Sequence, residues 1–112
     1  MNESPNLPLD LAFSALADPT RRAILRQLGR GEASVNAIAG QFSISQPAIS
    51  RHLRLLEEAG LVETAQRGQS RPRRLRAEGL SQAQRFLDDM ASYWPDRLGR
   101  LNTFLDETKD RP

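Results

Sequence analysis

Ser34 and Ser45 each stand immediately before an apolar helical repeat, and the interval between them leaves room for only one short helix and a turn. A serine hydroxyl can accept from the free N–H groups that open a helix, so each serine marks a start. After Ser34, the residues Val35, Ile38, Ala39 and Phe42 recur at helical spacing, although Gly40 weakens the repeat. After Ser45 the stripe is Ile49, Leu53 and Leu56, with Pro47 inside the first turn, where proline is tolerated. This second helix is expected to run to about Ala59 and to stop at Gly60. Two helices so tightly joined match a helix-turn-helix unit, whose second helix can enter a major groove.

The flanking sequence builds a domain around that unit. Residues 1–8 carry two prolines and read as a loose lead-in, followed by a short helix with Leu9, Ala12, Phe13 and Leu16 on one face, ending near Ala17. Asp18-Pro19 reads as an N-cap followed by proline at the first helical position, and opens a second helix with Ile24, Leu25 and Leu28 inward. Gly29 and Gly31 end it. Beyond Gly60 the stretches LVETAQR and RRLRA, around the turn-rich GQSRP, predict two short strands in a hairpin. Helical spacing resumes at Leu80, and Leu87, Ala91, Trp94, Leu98, Leu101 and Leu105 follow the alternating four-and-three step of a helix that pairs with another helix. Pro95 interrupts this seam and predicts a kink or two helical pieces. The expected fold class is mainly α with a small β-hairpin: about five helices and a two-stranded wing, in one domain over residues 9–112, with a dimerisation helix at about residues 80–108.

Composition excludes several chemistries. The chain has 112 residues, 38% of them hydrophobic, enough for one modest core. Cysteine is absent, which removes disulfides, thiolate catalysis and the softest metal ligands. No apolar run approaches the roughly 20 residues of a membrane span, and MNESPNLPLD lacks the pattern of a signal peptide. A soluble, cytoplasmic protein without membrane association is expected. The net charge is only +2, but residues 66–76 hold five arginines and no acid. Guanidinium forks suit phosphates and guanine edges, so a local cluster points to an anionic partner.

On a helical wheel the helix after Ser45 has two faces. Opposite the apolar stripe lie Pro47, Ser50, Arg51, Arg54 and Glu58, with Gln46 on the shoulder. Glutamine can pair with adenine and arginine with guanine through two hydrogen bonds each, while serine serves a base or a phosphate. Arg54, one turn further on, is better placed for flanking phosphates. Any solvated helix carries such a face; what distinguishes this one is the basic hairpin after it, where Arg67, Arg71, Arg73 and Arg74 could follow phosphates or enter a minor groove. His52 is the sole histidine, and its place at the margin of the apolar stripe predicts a packed, hydrogen-bonded ring rather than a catalyst or metal ligand. Arg21 and Arg22 are expected at the surface or paired with acids such as Asp18. The neighbouring carboxylates Glu57-Glu58 and Asp88-Asp89 diverge on a helix and make no acid/base dyad. No catalytic residue, metal site or cofactor is expected.

The motifs ALADPTRRAIL (15–25), SQPAISRHLRLLEEAGLV (45–62) and RGQSRPRRLRAEGL (67–80) together resemble the ArsR-type family of winged-helix repressors over residues 9–108. The resemblance implies a homodimer with the first and last helices at its interface, the fourth helix in the major groove, and repression relieved when a signal binds. Its recognition surface falls on Ser45, Gln46, Ser50, Arg51 and Arg54, with Arg71 and its neighbours on the wing. The dimer seam would use Phe13, Leu16, Leu87, Trp94, Leu98, Leu101 and Leu105. The same stripe could instead cover the protomer's own core. Metal-sensing members place cysteines where this chain has SVNAIAG, and histidines in the last helix, where it has none, so the chain resembles the branch without metal ligands. A strand position often aromatic in the family is Arg73 here. The expected partner is double-stranded DNA carrying an inverted repeat; the competing class is a winged-helix module that holds a protein instead.

Overall fold

The computed structural model describes residues 7–93. Five helices and one hairpin follow in order: α1 (Leu7–Leu16), α2 (Pro19–Leu28), α3 (Val35–Ala39), α4 (Gln46–Glu58), β1 (Val62–Thr64), β2 (Arg73–Leu75) and α5 (Ala77–Tyr93). The caps fall where the sequence puts them. Asp18, Ser34 and Ser45 all have extended backbones, and their side chains accept from the N–H groups of Arg21, Ala37 and Ala48. Gly60, with φ at +76°, turns the chain out of α4 in a conformation that costs other residues more.

One apolar core joins α2, α3, α4 and β1. Ile24, Ile38, Ile49, Leu53, Leu56, Leu61 and Val62 are fully buried, Leu28 and Ala15 nearly so, and no polar or charged residue is buried among the described residues. Each such aliphatic side chain contributes about 1.5–3 kcal/mol by leaving water. The three apolar residues of α4 lie at i, i+4 and i+7, so its rotation about its own axis is fixed by the core.

The hairpin is antiparallel, with Val62 opposite Leu75, Glu63 opposite Arg74 and Thr64 opposite Arg73. Ala33, in the α2–α3 loop, extends it on the other side. Its N–H donates to the Arg73 carbonyl at 3.0 Å, and the Arg73 N–H donates back to the Ala33 carbonyl at 2.8 Å. Both edges of β2 are therefore paired, and the Ala33 edge stitches the wing to the helical body. At its tip Arg67 and Ser70 exchange a pair of backbone hydrogen bonds of 2.9 and 3.0 Å.

Two helix starts differ from the sequence expectation. The first helix begins at Leu7, not Leu9, because Pro8 sits in its first turn, where it gives up no hydrogen bond; the remaining lead-in, residues 1–6, lies outside the described residues. The last helix begins at Ala77, not Leu80, so Arg76 and Ala77 are not strand residues. Gly79 looks like a break in the sequence but is a contact in the fold. Its N–H donates to the Gly60 carbonyl at 3.0 Å, and a Cβ there would lie 2.7 Å from the Ala59 oxygen and 2.8 Å from that of Gly60. The start of α5 thus crosses the end of α4 at backbone contact. The expected kink at Pro95 lies outside the described residues.

Gly79→Ala is expected to lower stability by about 1–3 kcal/mol, the usual cost of overpacking, because both obstructing atoms belong to backbone. Thermal unfolding checks this, and an unchanged midpoint would show that the α4–α5 crossing yields freely.

Candidate nucleic-acid interface

With Ile49, Leu53 and Leu56 buried, the N-terminal half of α4 turns its other face outward. Gln46, Pro47, Arg51 and Arg54 are exposed and Ser50 is half-buried. Neither Arg51 nor Arg54 makes an ion pair or side-chain hydrogen bond among the described residues, so both guanidiniums are available. Ser45 is exposed, but its Oγ already accepts from the Ala48 N–H at 3.3 Å; its own hydroxyl proton is what it can still donate.

The wing departs from its sequence reading. The run from 66 to 76 contains no acid, yet three of its four candidate arginines meet one in space. Arg67 grips Glu32 with two nitrogens, at 2.8 and 2.9 Å. Arg74 donates to Glu63, directly across the hairpin, at 2.6 Å. Arg73 is half-buried and turned toward α4, its Nε 3.8 Å from Glu57 Oε1 and without a hydrogen-bond partner among the described residues, while its Nη1 donates to the Arg71 carbonyl at 2.5 Å. The three acids come from the α2–α3 loop, β1 and α4, so only the folded register brings them together. Arg71 alone of the four is exposed without a side-chain partner among the described residues. Exposed ion pairs of this kind are worth only about 0–1 kcal/mol, so Arg67 and Arg74 can be exchanged onto a phosphate at little cost. Arg73 is different, because its side chain packs between the wing and α4.

Glu57 was not singled out by sequence, apart from its failure to form a dyad. It accepts from the Thr64 hydroxyl at 2.9 Å while facing Arg73, and so links the far end of α4 to both strands. The signal that could have found it is the strand register, which sets Thr64 opposite Arg73.

His52 is held, as its position at the stripe's margin predicts. Arg21 Nη1 lies 3.3 Å from His52 Nδ1, and the same guanidinium donates to the carbonyls of Ala15 at 2.9 Å and Ser14 at 3.2 Å. Arg22 donates to the Leu16 carbonyl at 2.9 Å. The last carbonyls of α1 are thus taken by the two arginines of α2, that of Ser14 also accepting from the Ala17 N–H at 3.2 Å. Through Arg21, α4 is tied to the end of α1.

Comparison with known proteins fits this geometry. A family model described as a helix-turn-helix domain matches residues 16–65. The HTH-type transcriptional regulator Rv2034 of Mycobacterium tuberculosis is 36% identical over 101 residues, which cover 90% of this chain and 92% of that one. The ArsR-like transcriptional regulator from Rhodococcus sp. RHA1 superimposes with a TM-score of 0.72 at 33% identity, covering 87% of this chain and 92% of the other. The chain belongs to the ArsR family. A further relative, the transcriptional repressor SdpR of Bacillus subtilis, is 44% identical over 57 residues, 51% of this chain and 63% of its own.

The ArsR winged helix-turn-helix accounts for α3 and α4 as the paired helices and for β1 and β2 as the wing. The segment SVNAIAG caps and forms α3, and among the described residues no cluster of three His, Cys, Asp or Glu is placed to hold a metal ion. No helix among them is long and apolar enough to cross a membrane. The seam residues divide. Leu16 packs against the protomer's own core, and Phe13 meets Phe86 of α5 edge-on, with ring centroids 5.7 Å apart. Leu87 is 56% exposed, and Leu80 and Tyr93 on α5 and Leu11 on α1 are exposed as well. Trp94, Leu98, Leu101 and Leu105 lie outside the described residues.

The cap at Asp18 carries a pH signature. Its carboxyl is held below the usual carboxylate value, first by the Arg21 backbone N–H, then, against the opposing effect of burial, by the charge of Arg21 and by His52. A lowered folded-state pKa gives stability that is present above the unfolded value and lost as pH falls through the folded one. Asp18→Ala should therefore cost about 1 kcal/mol at neutral pH. That difference should shrink below about pH 4, where the unfolded carboxyl begins to protonate. Denaturant titrations of both proteins across pH measure it, and a gap that stays constant down to pH 2 would remove the charge from the account.

Proposed function

We propose that this protein is a sequence-specific DNA-binding transcriptional regulator, a repressor that acts as a homodimer on an inverted repeat. The observation that carries the reading is the outward face of α4, where Gln46, Ser50 and Arg51 stand on a helix whose opposite face is locked into the core. Those side chains read base edges; Arg54 and Arg71 hold flanking phosphates, with Arg67 and Arg74 joining them when they leave Glu32 and Glu63. Pro47 starts the helix stiffly, and Ser45 offers its hydroxyl proton to the backbone. Support for repression comes from the related SdpR, a named transcriptional repressor. Support for pairing comes from the exposed apolar residues of α1 and α5, Leu11, Leu80, Leu87 and Tyr93, which a second copy would cover. With two-fold symmetry, the two copies of α4 would sit about 34–36 Å apart, one turn of DNA. A signal that releases the repressor completes the reading, and expression in the cytoplasm suits it.

The test is selection of bound fragments from genomic DNA, followed by salt titration on a selected fragment and on random DNA. Gln46→Ala and Arg51→Ala should each lose about 1–3 kcal/mol at particular base pairs while keeping their affinity for random DNA. Arg71→Ala should weaken both alike and lower the salt slope by about 0.9. Arg73→Ala should act mainly on stability, because its side chain faces Glu57. Equal loss on selected and random DNA from Gln46→Ala would refute its assignment, and binding to no fragment above the random background would favour a protein-holding module.

A further inference from the structure

Behind the helix-turn-helix lies a cleft of about 410 Å³, lined by Ala23, Arg26, Gln27 and Arg30 of α2 with its flank and by Gln41 and Phe42 after α3. That volume falls within the range of roughly 300–1,000 Å³ usual for small-molecule sites. The α2 residues follow the i, i+3, i+4, i+7 pattern of one helix face. Arg26 and Arg30 are one turn apart, so their like charges repel, and no acid lines the cleft. Neither arginine has an ion pair among the described residues, in contrast to Arg67, Arg73, Arg74 and Arg76, each of which faces a glutamate. Gln27 adds an independent mark. Its Oε1 is buried and has no hydrogen-bond partner among the described residues, an unfavourable arrangement that is relieved when the amide turns into the cleft to meet a donor. Phe42, half-buried against the core, supplies an apolar wall.

Two unneutralised guanidiniums, an acceptor that lacks a donor and one aromatic face describe a ligand by its chemistry. We propose that this cleft is an effector site for a small planar organic anion carrying a hydrogen-bond donor, such as a hydroxylated aromatic carboxylate, and that its occupancy is felt at the start of α4. The carboxylate would take Arg26 and Arg30, the hydroxyl would donate to Gln27 Oε1, and the ring would lie on Phe42. The coupling follows from chain continuity. Gln41 and Phe42 are held to the end of α3 by backbone bonds of 3.0 and 3.1 Å to Ile38 and Ala39, and only three residues separate Phe42 from Gln46. A ligand pressed on Phe42 therefore strains the segment that sets where α4 begins. None of Gln46, Ser50, Arg51 or Arg71 lines the cleft, so a free anion, not a DNA phosphate, is the favoured source. The regulatory meaning rests on the DNA-binding reading above, whereas the binding site itself does not.

The experiment is an amide-shift titration of the full-length, ¹⁵N-labelled protein without DNA, using 4-hydroxybenzoate and, separately, inorganic phosphate. Saturable shifts are expected at Arg26, Gln27, Arg30, Gln41 and Phe42 and at the α4 start, Ser45 to Ala48, with 4-hydroxybenzoate binding at least several-fold more tightly than phosphate. The double variant Arg26→Gln with Arg30→Gln, both side chains being exposed, should unfold at the same temperature and lose these shifts. Titration of a selected DNA fragment then separates the sources. If wild type shows no saturable shift with either probe while the variant binds every DNA sequence more weakly, with a salt slope lower by about 1.8, the arginines serve DNA phosphates and the effector site is overturned. Shifts that persist in the variant, or that never reach Ser45 to Ala48, overturn it too. Wild type that binds the anion but no DNA would leave the site standing and remove the regulator reading instead.

Discussion

The burial of Ile49, Leu53 and Leu56 sets the rotation of α4 about its axis, and the rest of the interface follows from that rotation. A helix with one continuous apolar stripe has a single low-energy way to meet a core that, among the described residues, contains no buried polar residue. Turning α4 by even one residue's angle would bury Ser50 or expose Leu53, at a cost of a few kcal/mol. The outward direction of Gln46, Ser50 and Arg51 is therefore a consequence of what lies behind them. The same helix is tied at three further points: Ser45 at its start, His52 to Arg21 in its middle, and Glu57 to the wing near its end.

Electrostatics in the wing works by exchange. Five arginines on eleven residues would repel one another in a bare hairpin, and acids drawn from four segments, the α2–α3 loop, α4, β1 and α5, face four of them before any partner arrives. Because the pairs are exposed, they contribute little to stability and are readily released. Such a wing can stay folded alone and still present cation to a polyanion. Arg73 is the exception, a guanidinium enclosed between β2 and α4, at a position where an aromatic side chain would make the same contact by packing.

The three capped helix starts, the stripe of α4, the hairpin and the held histidine were legible because each depends on neighbours close in sequence: a cap on its next turn, a periodic stripe, a turn between strands. Contacts between distant segments were not. Nothing near Ala33 marks it as a third partner for the wing, and Glu32, Glu57 and Glu63 are ordinary acids until the register places them against arginines. The helix was expected to resume only at Leu80, and nothing in the sequence shows that the backbone of Gly60 demands a glycine at position 79, inside the first turn of α5. Leu16 and Phe13 show the limit of periodicity: a stripe says that a face is covered, but not by which chain.

The central claim is that one face of α4, together with the wing tip, meets DNA while the face behind is structural. Amide-shift mapping of the full-length protein on titration with a selected duplex measures this most directly. The account predicts shifts concentrated on residues 45–54 and 67–74, with Ile24, Ile38 and Leu61 in the core little changed. A footprint centred on α1 and α5, with α4 undisturbed, would contradict it.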